Sequence, residues 1–504
     1  MNKKIIRNAR IITMNERLDI LPNGNILIEN GKISAITTQS LEDTDAEITD
    51  AEGMFLLPGL INTHTHLPMT MLRGFADDLP LHEWLTGHIF PAEARLVTPE
   101  NVRIATRLAF IEMIKSGTTC FNDMYFFEDI IAEEAKNAGI RGVMGESMID
   151  FATASFQTVD EGLARCEALI RKWQGDSIIH PSVCVHAPYT CSQATLQQSK
   201  QLADRYGTLL QIHVAETRQE VEDITARTGM PPAEYLHSIG LLDRNVIAAH
   251  CVWLNPKEIE LLARTGTSIG HCPKSNLKLA SGVADIDTYL KAGITVALGT
   301  DGTASNNTLD LVEEMRFAAL LAKVVHYNPE AVKAQTALRM ATINGAKALG
   351  LDTITGSIEI GKRADLILIH ADASNMLPVY DEYSAIVYAM NSKNVRSSMV
   401  NGDCGLIISG SVCRYSLTNP SSSLLFHIVP RLAATCPPAE KPAIIILSGS
   451  QSHSLACSRR YRTAYAASYS AHGNSSGIRL YLKIAAFMPS ESSFTATASP
   501  SRGE

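Results

Sequence analysis

Residues 55–66 read FLLPGLINTHTH, an apolar run that ends in two histidines two positions apart. The run has the composition of a buried strand, and a strand sends residues i and i+2 to the same face. His64 and His66 therefore point to one spot at the end of a strand. Two readings stay open on this spacing alone: a pair of satisfied polar core residues, or half of a metal site.

Seven further segments repeat the strand pattern: TTCFNDM, RGVMGES, IIHPSVCVHAP, LLQIHVAET, VIAAHCVW, TSIGHCPKSN and TVALGTDG. Amphipathic helices lie between them, among them PENVRIATRLAFIEMIKSG and PKEIELLARTG. The second has Pro near its start and Gly at its end, as helices prefer. Strands alternating with helices imply a parallel sheet. Eight such units over residues 55–350 imply a closed (β/α)8 barrel of the TIM type. An open doubly wound sheet is the competing architecture.

Both flanks of the barrel read differently. KIIRNARIITMN and GNILIENGKISAI alternate apolar and polar residues around Gly and Asn turns, and GSIEIGKRADLILIH returns to strands after residue 350. Residues 1–54 and 351–402 are thus expected to form one small β-sandwich domain from both ends of the chain. Residues 403–504 change character again, with 20 serines, four of the ten cysteines, and nine basic against four acidic residues. No periodicity survives there, so the segment reads as a disordered tail or as sequence appended by a change of reading frame.

Composition narrows the function classes. The 504 residues are 45% hydrophobic and 19% charged with a net charge of −8, which argues against general attraction to nucleic acid or anionic membranes. No apolar run approaches a membrane span of about 20 residues, and the N-terminus lacks a signal-peptide pattern. The cysteines are scattered singly, with no Cys-x-x-Cys pair, as in a reduced cytoplasmic protein.

Many of the expected strands end in an imidazole or a carboxylate. After His64 and His66 come His186, His213 with Glu216, His250, His271 and Asp301. A barrel brings all its C-terminal strand ends to one mouth, so these distant residues become neighbours. Imidazole nitrogens and one carboxylate oxygen suit Zn²⁺, with water in the remaining position. On this arrangement His64, His66, His213 and Asp301 would be the ligands, and the ion would lower the pKa of its water. His250 would orient or deprotonate that water, and Glu216 would protonate the substrate. His271 is expected to be structural.

Taken in order, PGLINTHTH, HVAE, AAHC, HCPKSNLKLASG and LGTDGTASNN resemble the amidohydrolase superfamily. More closely, they resemble its 5′-methylthioadenosine/S-adenosylhomocysteine deaminases, over about residues 1–400. The resemblance implies a (β/α)8 barrel with a flanking β-sandwich, and one zinc per subunit on His64, His66, His213 and Asp301. It also implies that Glu216 passes a proton to the purine N1 while His250 and Asp301 activate the water. Attack at C6 then releases ammonia from a 6-aminopurine nucleoside. No metal-bridging lysine stands in SVCVHAP, which favours one metal over two. The His-x-Glu and Pro-Cys-x-x-Cys signature of the cytidine-type deaminases is missing.

For the substrate, Trp84 matches the family's apolar wall and Glu93 its carboxylate for the ribose hydroxyls. His186 matches a residue near the sugar, and Ser305 falls at the mouth after the last strand. Some relatives hold the homocysteine carboxylate with an arginine after strand three, but none stands between Arg141 and Arg165. Methylthioadenosine or adenosine is therefore the expected substrate ahead of S-adenosylhomocysteine. The alternatives are hydrolysis of another heteroaromatic ring, of the guanine or s-triazine type, and a non-catalytic scaffold barrel. A homo-oligomer is compatible with all of these.

Overall fold

The computed structural model describes residues 3–41, 44–407, 467–468 and 483–484. The expectation for the Ser-rich tail lies almost wholly outside these residues. Within Pro442–Glu504, Ala467–Ser468 pairs antiparallel with Lys483–Ile484.

Eight parallel strands form the central sheet: β1 (Leu60–Thr65), β2 (Thr118–Tyr125), β3 (Arg141–Met148), β4 (Val183–Val185), β5 (Leu210–Val214), β6 (Val246–His250), β7 (Ser268–His271) and β8 (Val296–Leu298). Each is hydrogen-bonded to its neighbour in chain order. A short strand, Ile179–Pro181, pairs beside β3. First and last strands meet across the remaining gap. Asp301 N–H donates to His64 O at 2.9 Å, Thr300 N–H to the Asn62 side-chain oxygen at 3.0 Å, and Thr63 Oγ1 to Leu298 O at 2.8 Å. This is the barrel, and the doubly wound alternative is excluded.

The helices between strands start and stop on local signals. Pro99–Ser116 begins after Thr98, whose hydroxyl accepts from Asn101 N–H, and ends at Gly117 with φ 92°. Pro256–Thr265 begins with a capping box between Asn255 and Glu258 and ends at Gly266 with φ 75°. No helix among the described residues is long and apolar enough to cross a membrane.

The flanking strands lie in one mixed sheet drawn from both ends of the chain. Its order runs Asp403–Ile407, Val395–Val400, Leu366–Ile369, Phe55–Pro58, Lys3–Ile12, Ile20–Glu29, Lys32–Thr37, with Glu47–Asp50 beside Lys3–Ile12. The strands expected as a sandwich are thus joined in a single hydrogen-bonded path. Two details of the expected boundaries differ. Asp403–Ile407, expected in the tail, continues the sheet against Val395–Val400. Phe55–Pro58, expected in the barrel, pairs with Leu366–Ile369 and Lys3–Ile12 instead.

Gly59 makes that change of sheet possible. Its N–H donates to Asp365 O at 2.9 Å, and a Cβ there would come within 1.9 Å of the Thr119 hydroxyl. Alternate residues of these strands serve two different cores. Leu56, Leu366 and Leu368 join Ile11, Ile26 and Ile28 in the sheet's own cluster. Phe55, Leu57, Ile367 and Ile369 join the large cluster that continues into the barrel. Both faces are buried, which is why FLLP and LILI carry no polar alternation.

Candidate active site

The C-terminal strand ends converge as the barrel geometry requires. The His64 ring centroid lies 4.9 Å from that of His66, 4.8 Å from His213 and 5.4 Å from His250. Three of the four rings are turned by a second contact. His66 Nδ1 meets Met124 O at 2.6 Å and His213 Nδ1 meets His186 O at 2.6 Å, so in both the Nε2 side is left for the centre. His250 Nδ1 meets Asn276 Oδ1 at 2.8 Å. His250 and Asp301 stand at the strand ends with φ of 69° and 63°, left-handed conformations that non-glycine residues rarely adopt.

Asp301 faces the first two histidines, with Oδ1 3.2 Å from His66 Nε2 and 3.7 Å from His64 Nε2. Ser275 and Ser305 donate to its Oδ2 at 2.6 and 2.9 Å, and Gly302 N–H donates to its Oδ1 at 2.7 Å. Burial alone would raise this carboxyl, but the His66 hydrogen bond and the neighbouring imidazoles hold it well below the usual range. Burial also keeps His64 and His213 neutral, well below the ordinary imidazole value.

The potential ligand atoms fall into two overlapping sets, His64 with His66 and Asp301, and His64 with His213 and His250, each within 4.8 Å of one another. The four expected ligands are therefore gathered around His64, with His250 equally close. His64 Nε2 and His250 Nε2 are buried without a hydrogen-bond partner. Buried imidazole nitrogens of this kind, beside an ionised carboxylate, fit a divalent ion of the zinc type.

Glu216 stands two residues past β5, where the Glu220 carboxylate accepts from Ala215 N–H and Glu216 N–H at 2.9 and 2.8 Å. Its Oε2 lies 3.8 Å from His250 Nε2, and Ser281 Oγ donates to Oε1 at 3.4 Å. Burial raises its pKa, only partly opposed by His250. A carboxyl held above its usual range thus sits beside the cluster.

A cavity of about 410 Å³ opens over this group, with His66, His213, Glu216, His250 and Asp301 in its wall. The other expected site residues, Trp84, Glu93, His186 and Ser305, line it too. Trp84 begins a π-helical turn, Trp84–Ile89, between two short α-helical pieces. Tyr125 donates to Glu93 Oε1 at 2.5 Å. His271 is buried and outside the cavity wall. The residue reading missed Tyr125, Ser275 and Asn276. Tyr125 ends β2, so its strand-end position was the available signal. Ser275 and Asn276 stood in a quoted motif without a role.

A (β/α)8 barrel with imidazoles and a carboxylate gathered at its mouth defines a metal-dependent hydrolase. The amidohydrolase family model matches residues 55–404, and the chain belongs to that family. Over 403 residues it is 43% identical to a 5-methylthioadenosine/S-adenosylhomocysteine deaminase of Thermodesulfovibrio yellowstonii, covering 79% of this chain and 92% of the relative. A 5'-deoxyadenosine deaminase of Methanosarcina barkeri is 43% identical over 400 residues, 79% of this chain and 91% of that one. Among solved structures, an adenosine deaminase from Xanthomonas campestris with bound zinc superposes with a TM-score of 0.81 at 37% identity, over 86% of this chain and 99% of that one.

Proposed function

We propose that the chain is a hydrolytic deaminase of 6-aminopurine nucleosides, with one zinc held by His64, His66, His213 and Asp301. The observation that carries this is one cavity joining the imidazole cluster to the Glu93–Tyr125 pair. The bound ion would lower the pKa of a water and supply hydroxide at neutral pH. The chain's own residues do the rest. Trp84 and the cavity's apolar wall hold the purine, and Glu93 accepts from the ribose hydroxyls, with His186 beside them. Glu216, in its acid form, gives its proton to N1 as water adds to C6. His250 has Nδ1 committed to Asn276, which leaves Nε2 to take the proton from the attacking water. Collapse then expels ammonia and leaves the 6-oxopurine.

Among the described residues, no Lys or Arg lines the cavity, whereas Phe90, Phe151 and Ala152 do. An apolar or absent 5′ substituent therefore suits it better than a charged amino-acid tail. Cys120, Cys166, Cys184, Cys191, Cys251 and Cys272 are buried and unpaired, in keeping with a reducing cytoplasmic setting. Metal analysis and ultraviolet absorbance with adenine, guanine and triazine compounds test this reading. Methylthioadenosine, 5′-deoxyadenosine and adenosine are expected to be converted, and S-adenosylhomocysteine more slowly. Absorbance unchanged with every adenosine derivative, despite bound zinc, moves the reading to another heteroaromatic ring.

Glu93 gives a second prediction. Burial lifts its carboxyl to about 7, against the lowering hydrogen bond from Tyr125. Above that pH it is an ionised acceptor for two vicinal hydroxyls; below it the protonated group loses acceptor capacity. The KM for nucleosides is thus expected to rise as pH falls through about 7. That for free adenine should stay flat. Tyr125→Phe should raise the nucleoside KM about tenfold at neutral pH, the scale of one hydrogen bond to a charged group. Equal KM shifts for nucleoside and free base would remove Glu93 from the ribose.

A further inference from the structure

Three carboxyl groups outside the proposed chemistry lie buried behind the strand ends: Asp123 on β2, Glu146 on β3 and Glu128 at the start of the helix Glu128–Ala138. Burying such groups is costly unless their oxygens are hydrogen-bonded. Asp123 Oδ1 accepts from the Thr65 hydroxyl at 2.7 Å and from Leu67 N–H at 2.8 Å. It thereby grips both chain neighbours of His66. The next residue, Met124, supplies the carbonyl that turns the His66 ring. Two consecutive residues of β2 therefore fix the His66 segment from three sides.

Asp123 Oδ2 is buried and meets no amide, hydroxyl or cation. Both Glu128 carboxyl oxygens are likewise buried without such a partner. Burial beside Asp123 holds the Glu128 carboxyl well above its usual range, so Glu128 is the group placed to supply Asp123 Oδ2 with a proton. Two carboxyls in contact without a cation cannot both ionise, so the pair holds a proton between them. Glu146 fixes Glu128 in turn. It accepts from Phe127 N–H at 3.2 Å, from Glu128 N–H at 3.1 Å and from the Ser155 hydroxyl, at a helix start where Phe127 is left-handed with φ 62°.

We propose that Glu128 is a positioning residue for the metal centre: it donates to Asp123, which holds Thr65 and Leu67 and so sets His66 for the ion. The inference rests on the metal reading above. It is tested by zinc affinity, measured by competition with a chelator on the folded protein, together with kcat and KM at saturating zinc. Glu128→Leu leaves Asp123 Oδ2 without a donor and is expected to weaken zinc binding by about 10- to 100-fold, as loss of an outer-shell partner does. Its nucleoside KM at saturating zinc should match the parent, since the sugar and purine contacts are elsewhere. Glu128→Gln can still donate to Asp123 and should restore parental affinity, which a general packing role would not distinguish from Leu. Thr65→Val, which removes one of the two hydrogen bonds to Asp123 Oδ1, should weaken binding by a smaller factor.

Parental affinity in E128L, or affinity in E128Q as weak as in E128L, overturns the proposal. If E128L does not fold, unchanged affinity in T65V overturns it. A parent that binds no zinc overturns the metal reading and this inference with it. A zinc-binding parent with unaffected variants overturns this inference alone.

Discussion

Glu216→Gln is expected to lower kcat for methylthioadenosine about 10³-fold while zinc content stays at the parental level. The amide has the shape of the acid but holds no proton that it can transfer. In the parent, burial raises the pKa of this carboxyl beside the cluster, which favours the acid form that N1 protonation needs. Ser281 and the backbone grip of Glu220 on residues 215 and 216 hold its position, and neither contact depends on the acid itself. The loss corresponds to about 4 kcal/mol of transition-state stabilisation. It should appear in kcat far more than in KM, because protonation of N1 belongs to the reaction and not to binding. A variant that loses zinc instead would make Glu216 a ligand and leave the proton transfer without a donor.

Arg141→Met carries the second large effect, on stability. The Arg141 and Asp365 side chains are both fully buried, with Nε to Oδ2 at 2.7 Å and Nη2 to Oδ1 at 3.1 Å. Nη1 donates to Ser177 O at 2.7 Å, and Asp365 also accepts from Asn401 N–H at 2.7 Å. This pair ties the start of β3 to the flanking sheet at the end of the barrel away from the site. Removing the guanidinium leaves a buried carboxylate without its cation, a loss of about 3–5 kcal/mol. The denaturation midpoint should fall accordingly, and adding Asp365→Asn should restore part of it. The KM of protein that remains folded should be unchanged, since the contacts to substrate lie at the opposite end. A midpoint within error of the parent would show that the pair is replaceable at no cost.

The barrel was legible because eight apolar strand segments alternate with capped helices, and because six of those segments carry an imidazole or a carboxylate at or just beyond their ends. The change of sheet at Gly59 was not. Phe55–Pro58 and Leu60–Thr65 are both extended and apolar, so no periodicity marks the point where the hydrogen-bonding partner switches. Asp403–Ile407 was missed for a related reason: a short edge strand has too few residues to show alternation. His64, His66, His213, His250 and Asp301 could be grouped from strand ends alone. That His250 stands as close to His64 and His213 as a ligand would, and that Asn276 turns it, depends on contacts between strands that no local pattern encodes. The Asp123–Glu128 pair was hidden likewise, since FNDM reads as strand and FFED as a helix start.

The strands Phe55–Pro58 and Leu366–Ile369 send alternate side chains into two cores, and this makes the barrel inseparable from the sheet beside it. A fragment cut at Gly59 and again before Leu366 would lose Phe55, Leu57, Ile367 and Ile369 from its own interior. The sheet on its own would be left with the same four side chains facing water. Neither half is therefore a transplantable module. A designer who wants to graft this active site elsewhere must move both ends of the chain together with the barrel.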